Sequence, residues 1–181
     1  MMRDDIEKIV INEEKIKARV GELGAEISRD YANASKDIFC VGILKGAAIF
    51  YTDLVRQISL PVRFDFMIAS SYGNATESSG TVRILKDLDY DIKGKHVILV
   101  EDIIDSGTTM HYLLDYIRLR KAASVRLCAF LNKPSRRTVD VPTDYCGFDV
   151  PDEFLVGYGL DYAEKYRNLP YIGVLKREVY A

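Results

Sequence analysis

At 181 residues, 48% hydrophobic and 29% charged, the chain has ordinary globular composition that suits one domain with a sizeable core and implies no second. A formal charge of −2 excludes a whole-chain electrostatic case for binding nucleic acid or an anionic membrane. No apolar run is long enough to cross a bilayer, the opening Met-Met-Arg-Asp-Asp-Ile-Glu lacks a signal peptide's apolar segment, and the three separated cysteines (Cys40, Cys128, Cys146) read as reduced thiols, so the expected setting is cytoplasmic.

Asn12-Glu13-Glu14 reads as an N-cap with an acidic first turn, and Ile16, Val20, Leu23, Ile27 and Tyr31 then recur at helical spacing. This predicts an amphipathic packing helix to about Ala34. Ile38–Leu44 follows as a buried strand, giving way through Lys45-Gly46-Ala47-Ala48 to an apolar helix through Leu54. Lys45 thus stands at a strand's carboxyl end beside the N–H groups of a helix start, where it could meet an anion; a surface lysine in a turn is the plainer alternative. From Pro61 to Ser70, Val62, Phe64, Phe66 and Ile68 alternate as on a half-buried strand. Residues 70–80 are small or polar, with glycines at 73 and 80, and read as a mobile lid or as a hairpin tip. Thr81–Lys86 returns as a strand, and Lys86–Lys95 is a solvated polar turn.

The chain is organised around His96–Met110. Val97–Val100 is an apolar run suited to a buried strand of a parallel sheet, and it ends in acid at Glu101 and Asp102. After Ile103-Ile104 come Asp105-Ser106-Gly107-Thr108-Thr109, and then a helical pattern carrying Leu113, Leu114 and Ile117. Strand, loop and helix in this order place free N–H donors and positive dipole where an anion can bind. Gly107 allows close approach, and Ser106, Thr108 and Thr109 add hydroxyl donors. The paired carboxylates would repel a bare phosphate but would suit a sugar diol or Mg²⁺. A sugar phosphate satisfies both halves; a mere helix cap is the alternative. The two histidines, His96 and His111, have neither metal-ligand nor Ser/His/Asp spacing and read as structural.

Val125–Leu131 is a further apolar strand, ending at a basic cluster, Asn132-Lys133-Pro134-Ser135-Arg136-Arg137, that suits either phosphates or RNA, or a solvated turn. Val150–Tyr162 is aromatic and glycine-rich, and by composition Phe154 is plain core. Tyr171–Leu175 is the last strand.

Val-Glu-Asp-Ile-Ile-Asp-Ser-Gly-Thr-Thr resembles the phosphoribosyl-diphosphate (PRPP) signature of the type I phosphoribosyltransferases, and its Glu-Asp-Ile-Ile-Asp-Ser-Gly form resembles the 6-oxopurine branch. The likeness continues at Leu44-Lys45-Gly46, Ser71-Tyr72, Lys133, Val150–Phe154, Asp161 and Arg167, and so covers most of the chain. It implies a single α/β domain over 1–181, with a mainly parallel central sheet flanked by helices, a small hood formed by the termini and a lid at about 70–80.

The activity implied is Mg²⁺-dependent transfer of 5-phosphoribosyl from PRPP to N9 of hypoxanthine or guanine, giving IMP or GMP and pyrophosphate, in a homodimer or homotetramer. By the same resemblance Glu101 and Asp102 hold the ribose hydroxyls or metal, while Asp161 supports the Mg²⁺ of bound pyrophosphate and belongs with the purine-binding residues. Ser106, Gly107, Thr108 and Thr109 anchor the 5′-phosphate; Lys45, Gly46 and Arg167 take pyrophosphate; Ser71 and Tyr72 belong to the lid. Lys133 donates to the purine O6, Phe154 stacks on the base, and the Leu155 carbonyl accepts from it. In the family the Leu44–Lys45 peptide can be cis. Asp105 is the candidate general base, or else a helix cap that favours the cation electrostatically. A preference for xanthine, or a PRPP-fold regulator that binds RNA or DNA through Arg136-Arg137, are the alternatives. Ala47 departs from relatives that carry glycine there, which bears on the pyrophosphate loop.

Overall fold

A strand buried on both faces can be apolar throughout, and the three strands that read so lie side by side. In the computed structural model, which describes residues 2–34, 36–72 and 81–181, β2 (Ile38–Leu44) pairs in parallel with β5 (His96–Ile104), Gly42 opposite Val100. Around this pair a six-stranded sheet is ordered β4-β3-β2-β5-β6-β7, with β3 at Val62–Tyr72, β4 at Thr81–Lys86, β6 at Ser124–Asn132 and β7 at Tyr145–Asp149. All neighbours are parallel except the edge strand β4, which runs antiparallel to β3. The connection from β2 leads to β3 on one side, while that from β5 leads to β6 on the other. Their carboxyl ends therefore diverge into a crevice, where open α/β sheets bind ligands.

Helices cover both faces. α1 (Glu13–Asp30) and α2 (Ala48–Val55) pack on one side of the sheet, and α3 (Thr108–Leu119) on the other. Asn12 caps α1 by accepting from Lys15 N at 3.0 Å, and Ile16, Val20, Leu23 and Ile27 form its buried stripe. The helix stops at Asp30, short of the expected Ala34, because Ala32, Asn33 and Ala34 are exposed and bury nothing that would repay further turns. β3 in turn runs past Ser70 through Ser71 and Tyr72, drawn out by pairing Tyr72 with Thr81. The rest of the expected lid, 73–80, lies outside the described residues.

The termini form the second layer. β1 (Ile6–Ile11) pairs with β9 (Ile172–Leu175), and β9 with β8 (Leu155–Val156), as a three-stranded antiparallel hood followed by a short α4 (Arg177–Tyr180). No helix among the described residues is long and apolar enough to cross a membrane. The three thiols are free, with Cys40 and Cys128 buried; burial pushes the Cys40 thiol up to about 12.

One buried carboxylate ties the β3–β4 edge together. Asp65 is 5% exposed; its Oδ1 accepts from Phe66 N at 2.7 Å and Lys86 Nζ at 3.2 Å, and its Oδ2 from Asp89 N at 2.7 Å. Burial alone would raise its pKa, but the two backbone donors and the lysine outweigh burial and hold it below the ordinary carboxylate range. The native state therefore binds the proton less readily than the unfolded chain. The stability this contributes is present above the ordinary carboxyl pKa of about 3.9 and is lost as pH falls through the lower native value. Urea unfolding at pH 7 should show Asp65→Asn less stable by about 2 kcal/mol, with the gap closing towards about pH 3. A gap that stays constant with pH would mean that the charge is not what matters.

Candidate active site

The turn after β2 meets the end of β5 at one very close contact. The peptide Leu44–Lys45 is cis, as the resemblance led one to expect, and Gly46 follows. A Cβ added at Gly46 would stand 1.7 Å from Asp102 Oδ2, so no other residue leaves that carboxylate where it is. Asp102 is itself nearly buried, and its Oδ1 accepts from Ile103 N at 2.7 Å. Ala47 opens α2 at φ −70°, ordinary helical backbone, so the absence of glycine there requires no change in the loop.

Glu101 lies next to Asp102 and differs from it in partners. Its Oε2 is buried and has no hydrogen-bond partner within the protein. Desolvation first, and then the neighbouring Asp102 charge, push the Glu101 carboxyl well above its ordinary value. Such an oxygen is suited to a cation, a cation's water or a sugar hydroxyl. Among the described residues, however, no three His, Cys, Asp or Glu side chains gather into a metal cluster.

Beyond β5, Asp105 and Ser106 lead to Gly107, which sits at φ +90° ahead of α3. A Cβ there would meet Val139 O at 2.5 Å, so glycine is required both for the left-handed backbone and for the close approach. Gly107 brings no side chain to cap α3, and Thr108 N makes only a long hydrogen bond, 3.4 Å, to Ser106 Oγ. The positive end of a three-turn helix is thereby left facing the loop. Thr138 N and Val139 N both donate to Ser106 O, at 2.9 and 3.1 Å, and fix the loop from behind.

A strap from the hood closes the other side. Arg167 donates through Nη1 to Gly159 O at 2.7 Å and pairs through Nη2 with Asp161 at 2.8 Å and Glu164 at 3.4 Å. Glu164 also pairs with Lys45 at 3.0 Å, so it joins the two cations expected to hold pyrophosphate. Gly159, at φ +109°, lies so close that an added Cβ would meet Gly46 O at 2.1 Å. The strap is thus packed directly on the β2 turn.

Together these parts enclose a cavity of about 300 Å³. Gly46 lines it from the β2 turn, Glu101 and Asp102 from β5, Asp105, Ser106, Gly107 and Thr109 from the loop and helix, and Asp161 and Arg167 from the strap. Thr108 and Lys45 stand beside it. Lys133, Phe154 and Leu155 form a neighbouring group: Lys133, 7% exposed, donates to Glu153 O at 2.8 Å, while Leu155 pairs with Val174 in the hood. Ser71 and Tyr72 close β3.

The profile of the phosphoribosyl transferase domain matches residues 8–163. The chain belongs to that family. It is 53% identical over 182 residues to the hypoxanthine-guanine phosphoribosyltransferase of Bacillus subtilis (strain 168), covering 99% of each chain. To the enzyme of the same name from Streptococcus thermophilus (strain CNRZ 1066) it is 50% identical over 180 residues, again 99% of each. Among solved structures it superposes on a hypoxanthine phosphoribosyltransferase from Staphylococcus aureus with a TM-score of 0.95 at 47% identity, over 99% of this chain and 97% of that one. Family membership agrees with the type I fold read from the signature, and with an enzyme.

Of three further neighbours of this phosphoribosyltransferase site, Glu164 was not singled out from sequence, and Arg136 and Arg137 were read only as a possible nucleic-acid contact. Glu164 gave no signal beyond its nearness to Asp161. Arg136 belongs to the basic cluster, but its Nε pairs with Asp105 at 2.9 Å and its Nη1 with Asp152 at 3.2 Å. Arg137 donates to Asn132. Arg136 is thus ion-paired while still half-exposed, and Arg137 keeps its Nη1 buried and without a hydrogen-bond partner.

Proposed function

We propose that the enzyme works in purine salvage, moving 5-phosphoribosyl from PRPP to N9 of hypoxanthine or guanine with release of pyrophosphate. The observation that carries this is the convergence of an uncapped helix start, a carboxylate pair and the Arg167-bearing strap on one cavity. The 5′-phosphate sits on the Ser106–Thr109 backbone and hydroxyls, which fixes the sugar for attack. Glu101 and Asp102 take the ribose hydroxyls, and the unpartnered Glu101 Oε2 fits Mg²⁺ or its water. With PRPP bound, Mg²⁺ would neutralise the leaving pyrophosphate. Lys45, Gly46 and Arg167 receive that pyrophosphate, which takes the place of Glu164 between the two cations, while Asp161 braces Arg167 from the other side.

Beside the cavity, Phe154 stacks on the purine, the Leu155 carbonyl accepts from its N–H groups, and Lys133 donates to O6. An ammonium has no acceptor, so a 6-amino base would leave it facing another donor. Asp105, on release from Arg136, takes a proton from the purine as N9 attacks the ribosyl carbon and pyrophosphate leaves. The test is steady-state turnover with PRPP and Mg²⁺ on four bases. Hypoxanthine and guanine should react, with adenine lower in kcat/KM by about 100-fold or more. A preference for xanthine would move the assignment within the branch. No turnover on any base with PRPP still bound would overturn the enzyme assignment for these substrates.

A further inference from the structure

Phe154, the residue proposed above to stack on the purine, already has one face covered. The Tyr180 ring lies on it, with centroids 4.5 Å apart and planes 21° from parallel. Tyr162 meets Phe154 edge-on at 5.6 Å and 86°. Phe154 and Tyr180 are nonetheless 38% and 37% exposed, large fractions for apolar rings that are already paired. A ring has two faces, and with Tyr180 on one, a planar ligand can stack only on the other.

Tyr180 is held in place by the hood. Val179 packs into the small core around Val156 and Leu175. Lys176 N donates to Asp5 O at 2.9 Å, which ties the start of α4 to the N-terminal segment. Leu175 N donates to Phe154 O, also at 2.9 Å, so the same terminal segment holds both the backbone and the ring of Phe154. We infer that Tyr180 is a positioning residue for purine recognition: it fixes the plane of Phe154 so that purine, Phe154 and Tyr180 form one stack. This rests on the purine-site reading of Phe154. It predicts an effect on the base alone, because Tyr180 does not line the phosphoribosyl cavity.

The experiment uses the full chain with Tyr180→Ala, Tyr180→Leu, Tyr180→Phe and Phe154→Ala, measuring KM for hypoxanthine, guanine and PRPP together with kcat. Tyr180→Ala and Tyr180→Leu should raise the purine KM about three- to tenfold, the range for losing an aromatic pair. The PRPP KM and kcat should stay within about twofold, and Tyr180→Phe should restore the purine KM, because the ring and not its hydroxyl makes the stack. An unchanged purine KM, an equal rise for PRPP, or failure of phenylalanine to restore it would overturn the inference. A lower purine KM would also overturn it, showing that Tyr180 competes for the base's place. Phe154→Ala separates the two levels. If it raises the purine KM while Tyr180→Ala does not, only the role of Tyr180 fails; if it changes nothing, the purine-site reading itself fails.

Discussion

Replacing Asp105 with Ala should lower kcat with PRPP and hypoxanthine by about 10²-fold or more, equivalent to about 2.7 kcal/mol of transition-state stabilisation. The argument begins from position. Asp105 is the first residue beyond β5, lines the same cavity as the phosphate loop, and is only half-buried, so it can reach both protein and ligand. Arg136 balances its charge at 2.9 Å, and Asp152 shares that arginine at 3.2 Å. A purine arriving with an N–H to lose would compete with Arg136 for the carboxylate. Removing the carboxylate costs the reaction its proton acceptor and also the negative charge that favours a cationic ribosyl centre. Asp105→Asn removes the base and the charge together while filling the same space. It keeps the shape and the acceptor oxygen, so activity restored to within about threefold would show that neither base nor charge is needed. A fall of less than about threefold in the alanine variant would remove Asp105 from the mechanism altogether.

The second large effect is expected at Gly46. Gly46→Ala should cut kcat/KM for PRPP by about 10²-fold while leaving the fold cooperative, with stability reduced by about 1–3 kcal/mol. The new methyl group would fall 1.7 Å from Asp102 Oδ2 and 2.5 Å from its Cγ, and neither atom is at the end of a long flexible chain. The Gly46 backbone cannot retreat, because the Gly159 turn presses on its carbonyl from the strap side. Relief must come from the Asp102 carboxylate, which would leave its bond to Ile103 N and with it the ribose or metal position proposed for it. One methyl group would thus disturb the pyrophosphate turn, the carboxylate pair and the strap together. An unchanged PRPP KM with lower kcat would place the damage elsewhere. Full activity would show that the close approach is not needed for function.

How far these residues could be read from sequence follows from the range of the forces that place them. β2, β5 and β6 are legible because burial on both faces leaves a continuous apolar run, and the loop from Asp105 to Thr109 because its chemistry is contiguous. β1, β7 and β8 are not. They are short, and β1 and β8 owe their existence to partners distant in the chain, as when Ile6 pairs with Leu175. The same limit hid Glu164, which faces Lys45 across loops, and hid the pairing of Arg136 with Asp105, though Arg136 itself was noticed for its charge. Gly46 illustrates the gap well: its place in the motif was readable, but its contact with Asp102 was not. Composition favoured Phe154 as core, whereas in the fold its ring is open to solvent on the hood. Helix length was overrun at Ala34 because local propensity continued after the buried stripe had ended.

The hood also has a consequence in time. β1 precedes and its partner β9 follows every strand of the large sheet in the chain, so the hood cannot be assembled until β9 has been synthesised. All six strands of the large sheet, with the phosphate loop between β5 and α3, are available before then. The half proposed to hold the ribose phosphate, together with Lys133, can therefore take shape on a nascent chain before the hood that carries Phe154 is assembled.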